Sequence, residues 1–153
     1  MGDYWASVGS SRDGKDRSSP WSAAFISYVM GSAGGVFGVP FRKSGAHNKY
    51  IRQYINNRKS GNLKAAFVGY RINEKAPKVG DLVCYGRESG AGYDSNSSYK
   101  GHCDIVVAKR VGEIEVIGGN VADSVTKKIL ATDNKGMLID TNNDWFAVIK
   151  NNA

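Results

Sequence analysis

No stretch of the 153 residues approaches the roughly 18 consecutive apolar residues that a membrane span requires. The opening MGDYWASVGSSRDGKDRSS has neither a basic start nor an apolar core of leader type, so no secretory signal is expected. Acidic residues are few: 21 Lys and Arg stand against 14 Asp and Glu, a net charge of +7. Such a balance suits an anionic partner, whether nucleic acid, an anionic glycan or a phosphate-rich envelope. The cations are scattered, as in Arg42/Lys43, Arg58/Lys59, Lys109/Arg110 and Lys127/Lys128, with no arginine-rich run. Nucleic-acid binding is therefore unsupported.

Cysteine is scarce as well. Cys84 and Cys103 both lie within apolar, strand-like runs, where the expectation is a free thiol acting as a small hydrophobe in a reduced or indifferent compartment. The spacings HxH, HExxH and CxxC do not occur, so no metal is expected. The glycine runs GSAGG and IGGN continue into neither phosphate-binding signature, read as turns, and imply no cofactor. With 41% hydrophobic and 23% charged residues, the chain has the composition of one globular domain.

Residues 1–19 are small and polar and read as a leading arm with a short helical turn around Tyr4 and Trp5, ahead of a single domain over 20–153. In SSPWSAAFISYVM, Ser18 or Ser19 can cap a helix, Pro20 suits its first turn, and Trp21, Ala24, Phe25, Tyr28 and Val29 recur at helical spacing. GSAGGVFG ends it. A second helix is predicted from about Ala46 to Lys59, on the stripe Tyr50, Ile51, Tyr54 and Ile55. After Lys75 the period changes. APKVGDLVCYGR, HCDIVVAKR, EIEVIGGNV, DSVTKKILAT and WFAVIKN are short β-rich runs divided by turn residues, which predicts an antiparallel sheet. The insert ESGAGYDSNSSYKG ends just before His102 and is placed to overhang a site there. Helices followed by a meandering sheet define an α+β domain.

A nucleophile in the first turn of a helix gains from the exposed N–H groups and the positive end of the macrodipole, and Ser22 occupies such a position. The plainer alternative is a polar residue that helps the cap. His102 opens a strand after Gly101, so alternation sends His102, Asp104 and Val106 to one face and Cys103 to the other. An imidazole at a strand's edge can act as general base, or simply face solvent. Asn120, closing EVIGGN, can accept the other ring N–H and fix the tautomer; taken alone it is a turn residue. His47 heads the second helix, where it either lines the same cleft or faces water. Tyr93 and Tyr99 in the insert are the candidate substrate contacts, whereas Tyr50 and Tyr54 belong to a core stripe. Cys84 and Cys103 are poor nucleophiles, because burial raises a thiol's pKa.

PWSAAFISYVM, AHNKYI, PKVGDLVCYGR, GHCDIVV and IGGNVADSV, in that order, resemble DUF2272, a bacterial and phage family, and through it the papain-like superfamily of CHAP and NlpC-type cell-wall peptidases. The similar segments run from Pro20 to Val125. The resemblance implies a papain-like fold with N-terminal helices packed on an antiparallel sheet. It places Ser22 where those peptidases hold their cysteine, His102 at their histidine and Asn120 near their orienting polar residue, with Asp104, His47 and Trp21 in support. It further implies a peptidoglycan amide hydrolase, partnered by peptidoglycan or another anionic wall polymer, or by phage tail or virion proteins. It would reside in a phage virion, or in the bacterial cytoplasm before delivery to the wall. Serine in place of cysteine departs from that pattern and demands stronger base assistance. Two other classes stay open: a non-catalytic wall-binding or virion module that keeps the fold, and a basic nucleic-acid-binding domain.

Overall fold

The computed structural model describes residues 1–16, 18–33 and 41–153. Among the described residues, three helices precede six strands: α1 Gly2–Ala6, α2 Ser22–Ala33, α3 His47–Lys59, β1 Phe67–Arg71, β2 Leu82–Gly86, β3 Gly101–Arg110, β4 Glu113–Val121, β5 Ser124–Ala131 and β6 Asp144–Asn151. The strands form one antiparallel sheet in the order β1-β6-β2-β3-β4-β5, so the protein is α+β as the sequence predicts.

Alternation along the strands creates two cores. Leu82, Cys84, Ala147 and Ile149 face the helices and pack with Phe25, Ile26, Tyr50, Ile51 and Tyr54. Val83, Val106, Val116 and Val148 face the other way and pack with Leu130, Leu138 and Trp145. Full burial of one such aliphatic side chain contributes roughly 1.5–3 kcal/mol.

α2 is apolar nearly all round because it is covered twice, by the sheet on one side and α1 on the other. The segment read as a leading arm contributes to this packing: Trp5 is buried, and Tyr4 lies against Trp21 and Phe25. Ser18 and Ser19 do not cap α2. The Phe25 N–H donates to the Trp21 carbonyl, which makes Ser22 the first helical residue. The helix carries on through Gly31, Ser32 and Ala33; the rest of the Gly-rich run, 34–38, lies outside the described residues. α3 matches its predicted span to within one residue.

Two features depart from expectation. β1 is a strand that the sequence pattern concealed, since FVGYR is buried at four of its five positions and shows no alternation. Its Gly69 lets α3 approach closely, because a Cβ there would come within 2.8 Å of the Ile55 nitrogen. Second, Cys84 and Cys103 are not free thiols but a disulfide. Alternation puts both on the helix-facing side, the β2–β3 register sets them directly opposite, and their Cα atoms are 4.2 Å apart. A disulfide of this kind persists in oxidising surroundings, so the expected reduced state is corrected.

Candidate active site

The N-terminus of α2, the start of α3 and the head of β3 meet at one hydroxyl. Ser22 Oγ lies 3.0 Å from His102 Nδ1 and 2.9 Å from His47 Nε2. His102 Nε2 in turn lies 2.8 Å from Asp104 Oδ1. Beyond that, Lys128 Nζ stands 2.8 Å from Asp104 Oδ2 as a charge contact rather than an aligned hydrogen bond. On the other side, the Tyr50 hydroxyl contacts His47 Nδ1. All of these except Lys128 are buried, with Ser22 2% and His102 3% exposed.

Charge decides which way each proton points. Burial works to raise the Asp104 carboxyl, but the hydrogen bond and charge from His102, together with Lys128, outweigh it and hold the pKa below the ordinary carboxylate value. An ionised carboxylate can only accept, so His102 carries its proton on Nε2 and leaves Nδ1 bare. Ser22 therefore donates its O–H to His102 Nδ1. With that hydrogen committed, His47 must donate Nε2–H to Ser22 Oγ. Its own Nδ1 then accepts from Tyr50, whose phenol is kept protonated because burial pushes its pKa well up. His47 stays neutral, since burial first, and then the charges of His102 and Arg87, push its pKa well down. One directed chain results, Tyr50 to His47 to Ser22 to His102 to Asp104.

Glycine makes room for it. A Cβ on Gly118 would overlap Asp104 Oδ1 and come within 2.9 Å of His102 Nε2, while one on Gly119 would sit 2.7 Å from Phe25 Cβ in α2. The pair read as a turn is thus a close-packing device inside β4, against which α2 and the His102–Asp104 pair of β3 both pack. The N–H groups of the first turn of α2 have no intrahelical acceptor and lie beside Ser22.

A cleft of about 560 Å³ opens onto Ser22 and His47 and is walled by Arg87, Tyr99 and Lys100. The insert between β2 and β3 supplies Ser98 and Tyr99 to this wall. His102 stands behind Ser22 rather than in the wall.

The structure thus brings together Ser22, His102, Asp104 and His47. Asn120 is not the orienting group: both ring nitrogens of His102 are engaged elsewhere, and Asn120 has a positive φ of 57° where β4 turns toward β5. Asp104 takes that position. Trp21 adjoins Ser22 only in sequence, since its ring is stacked into the core beside Tyr4. Tyr99 lines the cleft, but Tyr93 does not: its hydroxyl donates to the Gly69 carbonyl at 2.6 Å, beneath the Arg71 guanidinium. Lys128 and Tyr50 were missed. Lys128 lies two residues from buried Leu130 on the same face of β5, a spacing that would have pointed it inward.

The fold and these side chains define an α+β protein with a Ser-His-Asp constellation at the start of a helix. The sequence profile of DUF2272, described as uncharacterized protein conserved in bacteria, matches residues 2–151, and the chain belongs to that family. No curated protein and no solved structure matches it.

Proposed function

We propose that the protein is a hydrolase that cleaves amide bonds through a serine nucleophile on a papain-like framework, with peptidoglycan as its substrate. The observation that carries this reading is the 3.0 Å contact from Ser22 Oγ to the bare Nδ1 of a histidine whose other nitrogen is held by a buried carboxylate. His102 takes the Ser22 proton as Oγ attacks the carbonyl, and Asp104 stabilises the imidazolium that forms. The oxyanion is met by the free N–H groups of α2 and by His47 Nε2–H, which is released from Oγ once that oxygen bonds to carbon. His102 then hands the proton to the leaving amine. Water, deprotonated by the same ring, clears the acyl-serine. Asp104 answers the demand that serine makes for a stronger base than thiol chemistry needs.

Peptidoglycan as substrate is supported by the similarity to wall peptidases, by the net charge of +7 and by a disulfide suited to an oxidising envelope. Digestion of purified sacculi, followed by release of new amino groups, tests it. The wild type should release them, and Ser22→Ala and His102→Ala should each lose about 10³-fold or more in turnover while keeping the fold. Ser22→Cys should recover activity or react with alkylating agents, because thiolate forms more easily.

One observation favours a second reading, a non-catalytic wall-binding or virion module. Ser22 is 2% exposed and its oxygen is engaged by two imidazoles, as a structural polar network would be. Absence of turnover, together with an inert Ser22→Cys, would decide for the module.

A further inference from the structure

We propose that Arg87 and Lys100 form a subsite for a carboxylate of the substrate, so that the protein acts on peptides bearing a free acid group near the scissile bond. The inference rests on the hydrolase reading for its bond class and on independent observations for its charge. Both side chains line the cleft that opens on Ser22 and His47. Their backbones are locked side by side where β2 and β3 end their ladder: Gly86 pairs with Gly101, and the Arg87 N–H donates to the Lys100 carbonyl at 2.8 Å.

Both cations are also unemployed. Among the described residues, Arg12, Arg58, Arg71 and Arg110 each pair with a carboxylate, and Arg42 and Arg52 each donate to an amide oxygen. Arg87 alone of the described arginines has no side-chain partner, and the Lys100 ammonium has none either. Two carboxylates are near. Glu88 lines the same cleft but accepts the Lys100 backbone N–H at 2.7 Å, and Asp144 borders a neighbouring hollow with Arg87; neither makes an ion pair with either cation. Arg87 and the buried His47 line the same cleft, and the Arg87 charge is among the causes that lower the His47 pKa. A planar guanidinium offers two parallel N–H groups that match a carboxylate, and the adjacent ammonium adds a second charge.

The test uses muropeptides from bacterial sacculi, with carboxylates free or converted to carboxamides. Binding is measured by calorimetry to the Ser22→Ala protein, in which nothing is consumed. The free-acid form should bind about 10-fold more tightly at low salt. Adding Arg87→Gln and Lys100→Gln, both at exposed positions, should bring the ratio near one by weakening the free-acid form. With Ser22 intact, the same two substitutions should raise KM for the free acid far more than KM for the carboxamide. A ratio near one before substitution, a ratio that survives the double change, or no binding of either form would overturn the subsite. If the ratio behaves as expected but intact protein cleaves nothing, the subsite stands and the hydrolase reading falls. Equal cleavage of both forms has the opposite meaning.

Discussion

Asp104 Oδ1 lies 2.8 Å from His102 Nε2, and the two residues are only two positions apart on β3. Strand alternation alone gives them a common face, so the imidazole and the carboxylate that orients it ride on one rigid element and need no loop to bring them together. Ser22 has to be delivered from elsewhere, and the N-terminus of α2 does so, with Phe25 of the same helix seated against Gly119.

Asp104→Asn should therefore impair turnover far more than binding. The carboxamide removes the negative charge that fixes the proton on Nε2 and offers N–H groups that favour the wrong tautomer, while Lys128 loses its ionic partner. A fall of about 10⁴-fold in kcat with little change in KM is expected. Steady-state kinetics, with circular dichroism as a control for folding, would check it. A variant with near wild-type kcat would mean that His102 is oriented by something else.

His47 sets the pH dependence of stability. Its folded pKa is pushed well below the ordinary value of about 6.5, so below that pH the unfolded chain binds a proton that the folded chain refuses. Stability is fully present above about pH 6.5 and declines as pH falls toward the folded value. Asp104, whose folded pKa is also depressed, adds a separate loss only below the ordinary carboxylate range. Urea midpoints measured from pH 8 to pH 5 should fall for wild type. The slope should flatten in His47→Gln, which keeps a donor for Ser22 without the titration. An equally steep slope in the variant would assign the effect to another group.

Much of this site was legible in the chain. The helical spacing of the apolar run after Pro20 put Ser22 in a first turn, although the expected Ser18 or Ser19 cap is absent, and alternation after Gly101 paired His102 with Asp104. The α3 stripe Tyr50, Ile51, Tyr54 and Ile55 was legible because a half-buried helix shows its period. β1 was not, because a strand buried on both faces has no period to show. Asn120 was preferred over Asp104 because the order of motifs suggested a third residue on the next strand, while the ring's second nitrogen needed only a partner two residues away. The disulfide was missed because strand register, which sets Cys84 opposite Cys103, depends on pairings that neither run reveals alone.

The Cys84–Cys103 bond should be worth roughly 3 kcal/mol, the loop-closure estimate for a separation of 19 residues. Thiol titration of the unfolded, unreduced protein should find no free thiol. Reduction, or Cys84→Ala with Cys103→Ala, should lower the melting temperature by several degrees. Because Cys103 adjoins His102, activity lost on reduction should return on reoxidation. A melting temperature indifferent to reductant would show that the bond is not formed in solution.

Gly118→Ala tests whether close approach, rather than the residues themselves, makes the site. The added methyl overlaps Asp104 Oδ1 and crowds His102 Nε2, and neither can retreat freely: Asp104 is fully buried, and His102 is held at Nδ1 by Ser22. Relief requires either that the Asp104 carboxylate be pushed aside, which lengthens the His102–Asp104 contact, or that β4 move away from β3, which loosens the seat of Phe25 on Gly119. Displacement of about 1 Å in such an arrangement costs on the order of 10²-fold in rate. Overpacking of this kind costs typically 1–3 kcal/mol in stability. Both losses should appear together, kcat down about 10²-fold and the urea midpoint lowered, whereas Gly112→Ala, at a positive φ of 82° on the β3–β4 turn with open space around its Cβ site, should lower stability alone. A Gly118→Ala protein with unchanged kcat would show that the Asp104 contact is dispensable.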